Sequence, residues 1–358
     1  MSTRHLDAAL VDRVASAALG WELEHDYWER QGAMTALLSW EHPDAVATIR
    51  HWLDRAVETQ TSAGWLCYGA TTNLSFGAFR VMDSGIMRGF ERSASCAAYF
   101  AAPLGLLHEL TGEHRYLDAA VRQMEAVLAG PRTSEGFLRM NAAAAEVWID
   151  EVYPVCGALA KLGRITGRTE WVDEAYNHLL VAASRLVDQH TGLARHIWCE
   201  RPDSFPESTF WSRGNGWLLC AAAEVLAEAP EHRHAEQVRG MLADLLASVV
   251  AVQDATGFLH DFLDDPLTPL ESSGTLMFAC AAGMATTLGV TGEAVTAAGV
   301  RALDAVAAIV AADGSIDRVV LPPGGPGVPL STMPLGTSFF LLAAYHLRDA
   351  AGLKERLS

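Results

Sequence analysis

The 358-residue sequence predicts an all-α protein, an (α/α)6 barrel of six helical hairpins forming a single domain over residues 1–358. Three observations lead there. Proline, which breaks helix interiors, is absent from long stretches whose apolar residues recur at helical spacing. Turn glycines recur along the chain with a period near 60 residues. Segments such as 276–290, rich in apolar and small residues, read as helices buried on every side.

Stretches 44–102, 155–201, 207–229, 231–265 and 270–321 lack proline and leave room for long helices. Between Pro103 and Pro131, Leu117, Ala120, Val121, Met124, Val127 and Leu128 form an apolar stripe; within 155–201, Trp171, Ala175, His178, Leu179, Ala182 and Leu186 form a second. Very few segments alternate with period two for long enough to make a strand. Thr111-Gly112-Glu113, Thr166-Gly167-Arg168 and Thr291-Gly292-Glu293 each end one apolar stretch and open the next, with glycine suited to a helix C-cap. Out of phase with these, Gly64, Gly136, Gly192, Gly257 and Gly314 each close a helical stretch, at intervals of 72, 56, 65 and 57 residues. That spacing fits two helices plus loops. Five such hairpins, with the terminal helices pairing as a sixth, close a double ring; an open α-solenoid is the alternative. The stretch 321–334, with five prolines and three glycines, is a loop whose length points to a rim or lid.

Half the residues are apolar and 19% are charged, which suits a large core and excludes a disordered chain. Twenty-six Lys and Arg against 43 Asp and Glu leave a net charge of −17, with no basic run or stripe. Nucleic acid and anionic membranes are therefore not expected as partners. A small anionic substrate is admissible if a local basic pocket overrides the global field. The six cysteines (Cys67, Cys96, Cys156, Cys199, Cys220, Cys280) are scattered without CxxC or zinc spacing and read as reduced, buried thiols. The first 26 residues carry charges where a signal peptide needs an apolar stretch, so a cytoplasmic location is expected.

Four segments carry chemistry. In Ser208–Trp217, Trp211 and Trp217 flank Arg213 and two glycines. Indoles offer flat faces to sugar rings, Arg pairs with carboxylates, and the glycines are read as letting backbone approach a ligand; the plainer alternative is two core tryptophans and a capped helix. In Glu146–Pro154, Asp150 stands among Trp, Ile, Val and Tyr. Apolar surroundings disfavour the charged form and suit a general acid, whereas an N-cap aspartate is the alternative. Asp83, within Phe79–Ile86, is a second lone carboxylate before an apolar stretch, with the capping alternative again open. His196 follows a turn glycine and precedes a tryptophan; a lone histidine is often structural. No group has metal-ligand spacing, and P-loop, GxSxG and dinucleotide fingerprints are absent, so no cofactor is expected.

FWSRGNGW at 210–217, WIDEVYPVCGALAKLGRITG upstream and TGLARHIW between them resemble the unsaturated rhamnogalacturonyl hydrolases of glycoside hydrolase family 105, sisters of the family 88 enzymes that act on unsaturated glucuronyl units. TGFLHDFLDDP, ESSGTLMFACAAGMA and the terminal LGTSFFLLAAYHL are similar to that family too, so the likeness runs from about Trp28 to Leu347. It implies an (α/α)6 barrel and a hydrolase that removes a terminal 4,5-unsaturated uronic acid from lyase-generated oligosaccharides. It also implies Asp150 as general acid/base, Asp83 as second carboxylate, His196, Trp211, Arg213 and Trp217 as the sugar-binding set, and Trp28 as an aromatic of the first hairpin. Arg139 is a further substrate-binding candidate, because Phe137-Leu138-Arg139 stands where family members usually carry a His; Ile197 replaces a usual Gly. Those two departures keep open a glycosidase on saturated uronides or a sugar epimerase; a non-catalytic carbohydrate-binding barrel is a third reading.

Overall fold

The computed structural model describes residues 6–20, 27–41, 43–64, 66, 98–139 and 144–352. Among them are twelve α-helices: α1 (Ala8–Gly20), α2 (Gln31–Ser39), α3 (Pro43–Glu58), α4 (Ala101–Thr111), α5 (His114–Leu128), α6 (Val152–Thr166), α7 (Thr169–Leu186), α8 (Ser212–Glu228), α9 (Ala235–Ala251), α10 (Ser272–Thr287), α11 (Glu293–Ala307) and α12 (Pro334–Leu347). The even-numbered helices pack each on the next, and α12 returns to α2, closing an inner ring. The odd-numbered helices back them from outside: α3 on α2, α5 on α4, α7 on α6, α9 on α8, α11 on α10, and α1 on α12. The fold is an (α/α)6 barrel. Closure by the two chain ends, expected from the hairpin count, rules out the open solenoid.

Burial explains which helices lie inside. α10 is buried at every residue from Ser272 to Ala285, as a helix flanked by α8, α11 and α12 must be. α5 and α7 bury one stripe each, Tyr116, Ala119, Ala120, Gln123, Met124 and Val127 in the first and Trp171, Ala175, His178, Leu179, Ala182 and Leu186 in the second. Cys156, Cys199, Cys220 and Cys280 are buried and unbridged, whereas Cys67 and Cys96 fall outside the described residues. No helix among the described residues is long and apolar enough to cross a membrane.

The five periodic turn glycines all take the left-handed conformation, at φ of 94, 88, 69, 96 and 85°. Three of them also abut backbone: a Cβ at Gly64, Gly257 or Gly314 would come within 2.5, 2.7 or 2.4 Å of the carbonyl oxygens of Arg122, Arg301 and Arg13. Each turn thus seats on the backbone of a neighbouring outer helix, and Gly314 seats on α1, closing the outer ring. Gly112 and Gly167 are the expected left-handed caps of α4 and α6. Gly292 is different: it precedes α11 in extended conformation (φ −93°, ψ −177°), and Gly289 takes the left-handed position after α10.

Short strands decorate one end of the barrel. β1 (Glu146–Trp148), β2 (Ile197–Cys199) and β3 (Ser204–Glu207) form an antiparallel sheet, with Trp148 opposite Ile197. β4 (Leu259–His260) pairs with β5 (Leu270–Glu271), and β6 (Val319–Val320) with β7 (Leu330–Ser331). The proline- and glycine-rich loop expected at 321–334 is therefore mostly the tip of a hairpin, and its last residue begins α12.

Candidate active site

In a double ring of up-and-down hairpins the inner helices run parallel, so their N-termini share one end. Side-chain contacts agree: Ser338 of α12 donates to the Glu29 carbonyl at 2.5 Å, just before α2. A Cβ on Gly274 would lie 2.5 Å from the Ser212 hydroxyl, so the first turns of α8 and α10 touch. Helix N-termini carry partial positive charge and free N–H groups, which favours anions there despite the net charge of the chain.

Asp150 lies in the 3-10 turn Ile149–Glu151 between β1 and α6. It makes no capping bond. Its Oδ2 instead meets Nε2 of His196 at 3.0 Å, with His196 buried and the Asp150 side chain 20% exposed. The sheet register arranges this pair, because Trp148 faces Ile197 and the Ile149 N–H donates to the His196 carbonyl at 3.2 Å. The imidazole is held edge-on to Trp148 (5.8 Å) and against Trp211 (4.6 Å). His196 is thus the hydrogen-bond partner of Asp150, a pairing that its sequence position did not suggest. Ile197, in the register opposite Trp148, is buried.

Trp211 is fully buried and sits under the Arg213 guanidinium, 4.3 Å from the ring centroid. Arg213 donates from Nη1 to Ser273 Oγ (3.3 Å) and to the Val320 carbonyl. Burial lowers the Arg213 pKa, while the carboxylates of Glu271, Asp150, Asp261 and Glu29 oppose that shift. Trp217 is buried one turn along α8, stacked on Tyr153 at 5.2 Å and edge-on to Phe339 at 5.5 Å. Asn215 ties the His196 loop to α8: its Oδ1 accepts from the Ala194 N–H (2.8 Å) and its Nδ2 donates to the Ala194 carbonyl (2.9 Å). The two glycines of the segment serve packing, contrary to the expectation that they admit a ligand. A Cβ on Gly214 would meet Ile149 at 3.0 Å, and one on Gly216 would meet Met277 at 2.5 Å.

The other expected residues are placed as follows. Trp28 lies in the 3-10 turn Tyr27–Arg30 that leads into α2. Asp83 lies outside the described residues. Arg139 ends the 131–139 loop, its N–H donating to the Pro131 carbonyl at 3.0 Å. The loop leans on Glu200 beyond β2, whose carboxyl is held low by Ser134, with smaller help from Arg201 and Arg139. Phe137 turns inward and stacks on His178 at 3.8 Å.

Two carboxylates escaped the sequence reading. Glu271 is fully buried at the N-cap of α10, accepting from the N–H groups of Ser273 (2.9 Å), Gly274 (2.6 Å) and Val320 (3.1 Å). Asp261 follows β4 and is 5% exposed; burial pushes its pKa up to about 7, the Glu271 charge adds to this, and Arg213 and the Trp211 indole oppose it. For Glu271 the available signal was of the same kind as for Asp150, an acid just before an apolar helix; Asp261, well ahead of α10, offered only its apolar neighbours.

The sequence of this chain matches the family described as Glycosyl Hydrolase Family 88 over residues 78–349. The chain belongs to that family. As a family 88 member it is 31% identical over 222 residues to an unsaturated rhamnogalacturonyl hydrolase of Bacillus subtilis, a match covering 60% of this chain and 62% of the relative. It is 25% identical over 150 residues to an unsaturated 3S-rhamnoglycuronyl hydrolase of Formosa agariphila, covering 38% and 40%. The match thus spans less than two thirds of either relative. Likeness of fold extends further. A family 105 glycoside hydrolase of C. acetobutylicum superposes with a TM-score of 0.78 at 18% identity, over 95% of this chain and 99% of the other. The unsaturated glucuronyl hydrolase of Bacillus sp. GL1 gives 0.68 at 14%, over 96% of each chain.

Proposed function

We propose that this chain is a glycoside hydrolase that removes a terminal 4,5-unsaturated uronic acid from lyase-generated oligosaccharides, with Asp150 as its acid and base. The observation that carries the reading is the Asp150–His196 pair at 3.0 Å beside the Arg213–Trp211 stack, at the barrel end where the inner helices begin. Family membership and the activity of the Bacillus subtilis relative support it.

The substrate double bond is an enol ether, because carbon 5 carries the ring oxygen. Protonated Asp150 delivers its proton to carbon 4, and the ring oxygen stabilises the cation left at carbon 5. The resulting carboxylate takes a proton from water as that water adds to carbon 5. The hemiketal so formed opens to a ketone, leaving carbon 1 with a hydroxyl and the glycosidic oxygen. Collapse of that hemiacetal to an aldehyde expels the remaining sugar as an alcohol. One carboxylate serves in both directions, so the carboxylate pair of ordinary glycosidases is not required. In this scheme His196 orients Asp150 and exchanges its proton, and Arg213 pairs with the substrate carboxylate. Asp83 would serve as the second carboxylate that keeps Asp150 protonated, and Trp28 and Arg139 would add contacts to the sugar, while Trp211 and Trp217, both buried, back the site from behind. The chain acts as one catalytic domain in the cytoplasm.

The test is a panel of unsaturated oligosaccharides from pectin, rhamnogalacturonan, ulvan and glycosaminoglycan lyases, followed by loss of the ultraviolet absorbance of the conjugated double bond. Wild type should consume one class. Asp150→Asn should retain binding and less than about one per cent of the turnover, in keeping with the roughly 10²–10⁴-fold worth of general acid–base help. Release of intact saturated uronic acid instead, or full activity in Asp150→Asn, would overturn the proposal.

A further inference from the structure

Asn215 stands where its residue type is disfavoured. It lies near the start of α8, buried at 1% exposure, and an asparagine side chain inside a helix competes for backbone groups. Here both atoms of its amide are engaged. Oδ1 accepts from the Ala194 N–H (2.8 Å), and Nδ2 donates to the carbonyls of Ala194 (2.9 Å) and Trp211 (3.0 Å). The need for these bonds arises in the loop after α7. Ala194 bridges Val187 in an antiparallel pair whose hydrogen bonds come from the flanking residues: the Asp188 N–H donates to the Leu193 carbonyl (2.9 Å) and the Arg195 N–H to the Leu186 carbonyl (2.8 Å). In that alternation the N–H and C=O of Ala194 itself point away from Val187. Asn215 supplies there both the acceptor and the donor that a neighbouring strand would. One side chain thus grips the backbone two residues before His196 and the backbone of Trp211, whose indole lies 4.6 Å from the His196 ring.

We propose that Asn215 is a positioning residue for the acid: by fixing Ala194 against α8 it fixes His196, and through His196 the direction in which Asp150 presents its proton. The proposal rests on the reading of Asp150 as acid and base. Without the amide, two buried backbone groups at Ala194 lose their partners, and because leaving them unpaired is costly the loop shifts until they find others or water. His196 moves with the loop. Its carbonyl accepts from the N–H of Ile149, the residue before Asp150, and its Nε2 meets the Asp150 carboxyl, so both links carry the displacement to the acid. Misplacing a reacting group by about 1 Å lowers the rate by about 100-fold, so the effect falls on kcat. Asn215 touches only protein groups, and KM should change little.

Asn215→Asp is the sharpest probe, because it keeps the shape and the Oδ1 acceptor but, ionised, sets a carboxylate against the carbonyls of Ala194 and Trp211. Protonated, it regains one donor. On the lyase product that wild type consumes, kcat should fall by about 10–100-fold at neutral pH with little change in KM, and recover relative to wild type on acidification. In a His196→Ala background the same substitution should bring no further loss; an equal loss with and without His196 would overturn the proposal. A second readout needs no turnover. The His196 ring is 2% exposed and bonded to Asp150, so its imidazole N–H is shielded from exchange and gives a nuclear magnetic resonance signal, identified by its disappearance in His196→Ala. In folded Asn215→Asp that signal should be displaced, and return towards its wild-type position at acid pH; a signal that stays in place would overturn the proposal. Asn215→Ser, shorter and uncharged, gives the same readouts should the Asp variant not fold, and an unmoved signal there refutes the idea equally. If no lyase product is consumed, the hydrolase reading falls while the imidazole signal still decides whether Asn215 places His196.

Discussion

Glu271→Ala tests how the site end of the barrel is held together. Glu271 is fully buried and accepts from five donors: the N–H groups of Ser273, Gly274 and Val320, and the hydroxyls of Ser273 (2.5 Å) and Ser212 (3.3 Å). It therefore joins the first turns of α8 and α10 to the β6–β7 hairpin. Truncation to alanine removes every one of these acceptors. The two hydroxyls can rotate to other partners, but the three N–H groups cannot. At about 1 kcal/mol for each buried donor left unpaired, the low end of the usual range because water can enter the vacated space, that is about 3 kcal/mol. Loss of a negative charge from a helix N-terminus adds about 0.3–1 kcal/mol. Relief from burying a carboxylate offsets part of the sum, so the expected loss is about 3 kcal/mol, a large fraction of a typical stability of about 5–15 kcal/mol. Urea unfolding, followed by far-ultraviolet circular dichroism, measures it. Because Glu271 holds Val320, whose carbonyl accepts from Arg213, affinity for acidic sugars should fall in parallel. A stability loss under about 1 kcal/mol would refute the assignment of Glu271 as the common acceptor.

Three other substitutions probe neighbouring links. His196→Ala removes the partner of Asp150 and should lower kcat by about 10–100-fold with a smaller change in KM, since a charged hydrogen bond is worth about 1.5–3 kcal/mol; a reversed split, with KM alone affected, would show that His196 binds sugar instead. Gly324→Ala places a Cβ 2.2 Å from Cζ2 of Trp211 at a φ of 82°, so the hairpin tip or the indole must shift; kcat/KM should fall at least about tenfold, and unchanged kinetics would show that the tip does not set the Trp211 position. His178 is buried against Phe137, and burial, aided by the Arg132 charge, pushes its pKa down to about 3. A histidine depressed in the folded state contributes stability above its unfolded pKa of 6.5 and loses it as pH falls toward 3. His178→Phe should therefore gain on wild type by about 1.4 kcal/mol per pH unit below 6.5, and an equal difference at pH 7 and pH 5 would refute it.

The barrel was legible in the sequence because its signals are local and repeated. The five periodic glycines mark real left-handed turns, and the charge-free run beginning at Ser272 is a helix enclosed on all sides. Closure through α1 and α12 followed from counting hairpins. Asp150, His196, Trp211 and Arg213 were each visible as unusual residues in apolar settings beside turns, and the fold brings them together.

Pairings between them were not legible, because hydrogen bonds across 46 to 107 residues depend on strand register and helix contact, which no local pattern encodes. His196 reads from the residues as a lone histidine, often structural, and by resemblance as part of the sugar-binding set; the β1–β2 register places it against Asp150. Gly216 reads as space for a ligand; the approach of α10 gives that space to Met277. Asp261 and Glu271 look like ordinary acids near a turn, and only the meeting of the β4–β5 and β6–β7 hairpins with the first turns of α8 and α10 buries them. Sequence alone determined which segments become helices and which residues stand out as candidates for the site, since backbone preference and side-chain type are local. Tertiary structure decided which charges lose water and which neighbour each then finds, since desolvation and Coulomb energy depend on distances that only the closed ring creates.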